Sequence, residues 1–245
     1  MMQQRQPATS SHNQITLRGS TKIIVEFFEY CINSLLFQRG LYAPEHFKMD
    51  KKYGLNMLVI TDPEVKKHMR EILKQVEAWL MACKVEKLIL AIKSRETMVV
   101  LERWQFDIQN TKDHTAQQTQ QQRQQQPQEF NDKDIMGSIA TTGGTVSPSS
   151  SRPHPPREKT EKEIQTEIQA ILRQITASVT FLPMLDEKCT WTILCQTEKD
   201  AEVPASWVDA HPHFVHNAEQ VRLRSFSTNF HRVDAMVAYR LHDDV

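Results

Sequence analysis

The stretch VRLRSFSTNFHRVDAMVAY, residues 221–239, constrains the fold of this chain more than any other. It contains two strand-like runs joined by a short polar turn. The first run alternates with a period of two, which is typical of a strand with two different faces. Its side chains point in two directions, with Val221, Leu223 and Ser225 on one side and Arg222, Arg224 and Phe226 on the other.

The second run of this stretch, 235–239, is apolar on both faces, which indicates fuller burial. A two-stranded hairpin is only marginally stable by itself, because it buries too little surface. The hairpin must therefore join a sheet built from upstream residues. Since it closes that sheet late in the chain, it is a candidate for moving between two pairings.

Three amphipathic segments predict helices that cover the sheet. We expect the first over 20–38, with Ser20 as its N-cap and Gly40 as its stop. The second begins at 62–64, where an N-cap, a proline and an acid follow one another. The third keeps apolar residues at helical spacing over 157–180.

Strand formers and turn residues predict the rest of the sheet. The expected strands are a possible short edge strand at 15–18, a strand at 53–61, a hairpin over 85–108 and a strand at 189–197. A long connection then leads to Gln220. Three helices on a mostly antiparallel sheet make an α+β domain.

Two polar stretches lack the apolar residues that a packed core needs. Residues 1–14 are predicted to be a disordered tail. Residues 109–156 are rich in Gln, Ser, Thr, Pro and Gly, and they bury too little surface to offset their ordering entropy. We interpret 109–156 as a disordered insert in one domain spanning 15–245, because loop closure costs little more as a loop lengthens.

Composition narrows the classes of partner. The formal net charge of zero disfavours nucleic acid as a partner, and no apolar run reaches membrane-spanning length. No hydrophobic segment near the N-terminus suits a secretory signal. Four scattered cysteines without a CxxC motif are expected to be reduced thiols of an intracellular protein.

Catalytic and cofactor-binding motifs are not found in the sequence. It has no glycine-rich phosphate loop, no G-x-S-x-G and no H-E-x-x-H, so we expect neither cofactor nor metal and predict a non-enzyme. His211, His213 and His216 fit no standard zinc spacing. A nucleophile pair of Cys195 and His231 stays open as an alternative, although a packed strand cysteine is the simpler interpretation.

Several motifs resemble one family. They are ITLRGS (15–20), QRGLY (38–42), VLERWQFDI (100–108), RQITASVTFLP (173–183) and the C-terminal stretch at 221–239. Together they resemble the spindle-assembly-checkpoint HORMA proteins, the mitotic arrest-deficient protein two family. The resemblance covers nearly the whole chain from Ile15 onward, apart from the insert.

The resemblance implies a HORMA fold with two forms. In the open form the C-terminal hairpin covers one edge of the sheet. In the closed form it moves to the opposite edge and wraps a partner peptide like a safety belt, and the peptide pairs as an added strand. The implied partners are a kinetochore checkpoint scaffold protein, the co-activator of the anaphase-promoting complex, and an adaptor with an AAA+ remodelling ATPase. Capture of the co-activator delays anaphase, and the implied locations are nucleus, kinetochore, spindle and cytoplasm.

Site residues follow from the resemblance position by position. The belt corresponds to about 198–245, and the peptide would pair with 189–197 beside 104–106. The implied peptide-binding residues are Trp104, Phe106, Thr190, Trp191, Ile193, Arg222, Arg224, Phe226 and Tyr239. Arg173, Gln174 and Phe181 match an open–closed dimer contact, and Leu17 matches a residue that leaves its place during conversion.

Other clients of a HORMA fold are the alternative. A translesion polymerase subunit or a meiotic chromosome axis protein would use the same capture chemistry.

The insert departs from the family, which has a much shorter loop before the third helix. The resemblance implies that this loop adjoins the surface used for conversion and adaptor docking.

Overall fold

The computed structural model describes residues 15–111 and 158–241. Within these ranges lie three helices, α1 (Leu17–Gln38), α2 (Pro63–Met81) and α3 (Glu161–Ser178). A 3-10 turn, Pro44–His46, precedes the first strand. The seven strands are β1 (Phe47–Lys52), β2 (Leu55–Ile60), β3 (Val85–Ser94), β4 (Val100–Asn110), β5 (Cys189–Thr197), β6 (Ala218–Ser227) and β7 (His231–Arg240). Within the described ranges, no helix is both long and apolar enough to cross a membrane.

Five strands form the main sheet in the order β5-β3-β4-β7-β6, and every neighbouring pair is antiparallel. Alternate residues of these strands point toward the three helices and make one core. Leu88 and Leu90 of β3, Trp104 of β4 and Val237 of β7 are completely buried there, against residues such as Phe27 of α1. The predicted α+β class is confirmed, and the C-terminal hairpin does join a larger sheet.

Helix α1 begins earlier than predicted. Thr16 is its N-cap, and the Thr16 side chain accepts a hydrogen bond from the backbone N–H of Gly19. The expected edge strand at 15–18 is therefore wrong, because most of that segment is the cap and first turn of a helix. Ser20, predicted as the cap, lies buried inside that turn. Gly40 has φ +63°, so its role as the helix stop is confirmed.

A second, two-stranded sheet was not predicted in full. The strand expected at 53–61 is β2, but its partner β1 is not among the expected strands. Tyr53 and Gly54 connect the two strands with φ of 50° and 67°, and two consecutive positive φ angles suit a two-residue hairpin turn. The sequence FKMDKK of β1 is mostly polar, which hid the strand.

Helix α3 begins four residues later than expected. Thr160 and Glu163 form a capping box, in which each side chain binds the backbone N–H of the other. At the preceding junction, β4 extends to Asn110 because Gln109 and Asn110 pair with β7. The first residues assigned to the insert are therefore strand. The rest of that prediction, and the predicted tail 1–14, lie outside the described residues.

A bulge in β6 changes the face of one predicted residue. Arg222 pairs with Met236 and Ser225 with Asp234, so three steps along β6 match two along β7. The extra residue reverses the alternation. Phe226 consequently lies on the same face as Val221 and is buried, 4.8 Å from Phe27 between ring centroids. The predicted grouping of Phe226 with Arg222 and Arg224 is wrong for this reason.

Candidate functional site

Strand β5 forms one edge of the main sheet. It pairs with β3 along its whole length, from Val85 opposite Thr197 to Ser94 opposite Cys189. In the described part of the chain no second strand pairs with it. The backbone groups on its outer side are therefore placed to pair with an added strand. The hairpin of β6 and β7 lies at the opposite edge of the sheet.

The connection 198–217 is the first part of the predicted safety belt, and from here on it alone is called the belt. It crosses from the edge at β5 to the edge at β6. Its first part is fixed beside α2. Trp79 of α2 donates from Nε1 to the carbonyl of Glu202 at 2.9 Å, and the rings of Trp79 and Trp207 meet edge to face at 4.9 Å. Lys84 binds carboxylates of Glu198 at 2.7 Å and Asp200 at 2.8 Å.

The second part of the belt lies on the sheet face that points away from the helices. Arg103 of β4 donates from Nε to the carbonyl of Pro212 at 3.2 Å, and its guanidinium stands 5.2 Å from the ring centroid of Phe214. Lys93 of β3 places its Nζ 3.5 Å from Nε2 of His213. Burial, together with the charge of Lys93, lowers the pKa of His213 from its ordinary value.

A cavity of about 750 Å³ lies between β5, α2, the belt and the outer face of β3 and β4, where Arg103 and Gln105 line it. Its walls include Thr192 and Leu194 of β5, His68 and Ile72 of α2, and Val208 of the belt. The lining mixes apolar and polar side chains, as binding pockets do. An extended segment in this cavity would lie beside the free edge of β5 and beneath the belt.

The end of β5 near Cys189 is held by aromatic contacts. Trp191 donates from Nε1 to the hydroxyl of Tyr42 at 2.9 Å, and its ring lies 5.7 Å from that of His68. Trp191 and Ile193 face the core side of the strand, where Ile193 is buried. Thr190 pairs with Lys93. These three predicted residues lie on the edge strand, and their contact with a peptide stays a prediction.

The other predicted peptide-binding residues lie elsewhere. Trp104 and Phe106 belong to β4, which β3 separates from β5, so their predicted position beside 189–197 is wrong. Both are buried in the core. Phe226 and Tyr239 are buried in the hairpin at the opposite edge.

Arg222 and Arg224 lie exposed on β6, the strand at the far edge of the sheet. They and the four buried residues were assigned from motif resemblance, which carries no register. In this arrangement all six lie outside the cavity.

Cys195 and His231 do not form a nucleophile pair. β3 and β4 lie between their strands, and three strand spacings separate the two by about 14 Å. Burial raises the pKa of the Cys195 thiol to about 12. His231 instead places Nδ1 2.9 Å from the hydroxyl of Ser20. Among the described residues no group of three metal-binding side chains occurs.

The predicted dimer and conversion residues lie on the helical side. Arg173 of α3 is exposed, and Phe181 just beyond the helix is 42% exposed and 6.1 Å from Tyr239 between ring centroids. Gln174 accepts a hydrogen bond at 2.7 Å from the backbone N–H of Arg224. Leu17 is the half-buried first residue of α1.

The comparisons with known proteins agree with this architecture. The HORMA domain model matches residues 20–231. The mitotic spindle checkpoint component mad2 of Schizosaccharomyces pombe is 44% identical over 93% of this chain and 95% of its own length. The human mitotic spindle assembly checkpoint protein MAD2A is 43% identical over 95% of this chain and 96% of its own length. The chain belongs to the Mad2 family of HORMA-domain proteins.

Solved structures support the same assignment. A chain of the crystal structure of the mitotic checkpoint complex matches this HORMA domain with a TM-score of 0.70, at 42% identity, over 91% of this chain and 99% of that chain. HTP-2 of C. elegans, bound to the HIM-3 closure motif, matches with a TM-score of 0.64 over 92% of each chain. Its identity is 11%, so that likeness shows the fold alone.

Sequence reasoning missed the belt contacts of this HORMA domain. Arg103 lies in the motif VLERWQFDI, for which the family resemblance implies roles of Trp104 and Phe106 but none of Arg103. Its neighbour Glu102 faces the core and binds Arg39 at 2.5 Å. The available signal was three polar or charged residues, Arg103, Gln105 and Asp107, at every second position of a strand whose other face carries Trp104 and Phe106.

Proposed function

We propose that this chain is a mitotic spindle checkpoint component that captures an extended partner peptide between the edge of β5 and the belt. One observation carries the proposal: a free strand edge lines a cavity that the belt crosses. The Mad2 relatives and the structural match to a chain of the mitotic checkpoint complex support the checkpoint role.

The edge of β5 supplies the affinity for a strand. Backbone N–H and C=O groups along Cys189–Thr197 would pair with those of an added segment, which is β-augmentation. Backbone pairing alone discriminates little between peptide sequences. Selectivity therefore depends on pockets that contact every second side chain of the peptide. Ile72 and Val208 offer apolar contact, and Glu71 and Asp209 offer charge.

The belt supplies the slow release. Because it is joined to β5 at one end and β6 at the other, a segment beneath it leaves only by threading out or after the belt lifts. Lifting the belt breaks the contacts of Trp79, Lys84 and Arg103 described above. Most affinity differences among related complexes lie in such dissociation steps.

The partners that fit are proteins with an extended segment free to form a strand. We assign these to a kinetochore checkpoint scaffold protein and to the co-activator of the anaphase-promoting complex, whose capture delays anaphase. The chain accordingly works at the kinetochore and spindle, and is drawn from the nucleus and cytoplasm. The hairpin position at the edge away from β5 corresponds to the closed form of the family.

Conversion between forms would use the helical side of the molecule. The exposed Arg173 and Phe181 suit contact with a second copy in the open form, and Leu17 suits a first turn that unwinds. An adaptor with an AAA+ ATPase would reopen the closed form from that end.

Backbone methylation of a co-activator peptide tests the capture mode directly. Replacing one N–H at a time by N–CH₃ removes one donor and blocks one pairing position. In an added strand only alternate residues point their N–H toward β5. We expect affinity to fall by tenfold or more at every second position and little at the others, measured by fluorescence anisotropy with the full chain. Uniform losses, or none, would contradict strand addition.

A further inference from the structure

Arg103 joins the belt to the outer face of the sheet through the carbonyl of Pro212 and the ring of Phe214. We propose that Arg103 is the positioning residue that holds the belt over a captured peptide, with Phe214 as its partner on the belt. We call this pair the clasp. The inference rests on the proposed function, because it assigns the residue that sets the peptide's release.

The clasp belongs to the second of two regions where the belt is attached, beside the contact of Lys93 with His213. The first, through Trp79 and Lys84, lies beside α2, close to where the belt leaves β5. The second lies on the outer sheet face, close to where the belt reaches β6. A belt held at one end only would swing. Attachments at both ends, by Trp79, Arg103 and Phe214, which themselves line the cavity, keep the belt across the opening.

Neighbouring side chains on β4 orient the hydrogen-bond donors of the Arg103 guanidinium. Nη1 donates to Oε1 of Gln105, whose amide nitrogen in turn donates to both carboxylate oxygens of Asp107 at 2.8 and 2.9 Å. Lys87 of β3 binds the same carboxylate at 3.4 Å. This polar row fixes the amide of Gln105, which turns Nε of Arg103 toward the carbonyl of Pro212.

Burial makes these contacts stronger than their exposed counterparts. Arg103 is only 6% exposed, so little water competes for its donors. A charged donor to a carbonyl is about twice as strong as a neutral one. The ring of Phe214 adds a cation–π contact with the Arg103 guanidinium. Phe214 lies outside the core and is 67% exposed, which is unusual for a phenylalanine.

Release rates of a labelled co-activator peptide from the full chain test the clasp. We expect Arg103→Gln to speed dissociation by about tenfold or more, since the contact to a charged group is lost. Phe214→Leu keeps the apolar bulk but removes the aromatic ring, and we expect about two- to fivefold. Association rates should stay within about twofold for both, a split that general destabilisation would not produce.

Two comparisons make the assignment specific. Arg95→Gln removes an exposed arginine from the turn between β3 and β4, and it should release peptide at the wild-type rate. In the Arg103→Gln, Phe214→Leu double variant, the increase in dissociation rate should be smaller than the product of the two single increases, because both substitutions break the same contact. Full multiplication, or an unchanged rate in Arg103→Gln, would overturn the clasp.

Two further measurements distinguish a failure of the clasp from a failure of folding or of peptide capture. If Arg103→Gln does not fold, Phe214→Leu decides alone, since that residue lies outside the core, and an unchanged rate would overturn the proposal. If the wild-type chain binds no peptide, capture itself has failed. Amide exchange over 210–216 in the free chain then decides: faster exchange in Arg103→Gln supports the clasp, and equal exchange overturns it.

Discussion

Nδ1 of His231 lies 2.9 Å from the hydroxyl oxygen of Ser20, although 211 positions separate the two residues in the chain. Ser20 belongs to the first turn of α1 and His231 begins β7. Thr228 completes the group, with its hydroxyl 2.6 Å from that of Ser20. All three are buried, so this contact fastens the start of the chain's first helix to its C-terminal hairpin.

Removing the Ser20 hydroxyl should loosen that attachment. Ser20→Ala leaves the buried Nδ1 of His231 without this partner, which costs about 1–3 kcal/mol of the free energy of unfolding. Urea denaturation followed by circular dichroism measures the change. Thr176→Ala is the control, because its hydroxyl bonds only within α3 at an exposed position and should change stability by less than about 0.5 kcal/mol. Equal stability of Ser20→Ala and wild type would contradict the structural role of this group.

Stability should fall in weak acid because of His231. Burial lowers the pKa of His231 to about 4, against about 6.5 in an unfolded chain. Between these values the unfolded state binds the extra proton, so the contribution is complete above pH 6.5 and is lost as the pH falls toward 4. The full loss is on the order of 3 kcal/mol. We expect the wild-type minus His231→Gln difference in unfolding free energy to shrink from pH 7 to pH 5. A difference that does not vary with pH would contradict the buried neutral histidine.

The buried ion pair of Arg39 and Glu102 should be sensitive to the loss of either partner alone. Burial raises the pKa of Glu102, and the charge of Arg39 opposes this. Glu102 also accepts a hydrogen bond at 3.1 Å from Nε1 of Trp104. Arg39→Met leaves an uncompensated buried carboxylate, which costs about 3–5 kcal/mol. Adding Glu102→Gln should restore at least half of that loss in thermal and urea unfolding. A double variant no more stable than Arg39→Met would count against the pair.

The helices and the main strands could be predicted because a long periodic pattern of apolar residues determines which face of an element is buried. The apolar residues that α3 keeps at helical spacing, such as Ile164 and Ile168, lie in the core. The error at the start of α1 arose because two nearby residues compete to be its N-cap. Thr16 and Ser20 are both good caps, and which one caps depends on Ser20 meeting His231, a contact that local sequence does not contain.

The candidate site was harder to predict because it depends on strand order. The edge strand 189–197 was identified through the family resemblance, but neighbours in a sheet are not neighbours in sequence. Nothing in LERWQF shows that β3 comes between β4 and β5. Likewise the bulge that turns Phe226 into the core is invisible in a period of two.

Helix α3 offers a way to separate self-association from hairpin docking. Arg173 is exposed, whereas its neighbour Gln174 binds the backbone N–H of Arg224. We expect Arg173→Glu to weaken open–closed dimerisation by at least tenfold in sedimentation velocity without changing peptide affinity. Gln174→Ala should in addition speed amide exchange in β6, because that N–H loses its acceptor. An unaltered sedimentation profile for Arg173→Glu would remove this face of α3 from the dimer contact.

The most direct measurement of the central claim is amide hydrogen exchange of the full chain with and without a co-activator peptide. Capture at the free edge predicts that fragments covering 189–197 and 198–217 gain protection of tenfold or more when the peptide binds. Fragments of β6, 218–227, at the opposite edge should change little. Protection that appears along β6 while β5 exchanges as before would show that the peptide pairs at the other edge, and would contradict the account.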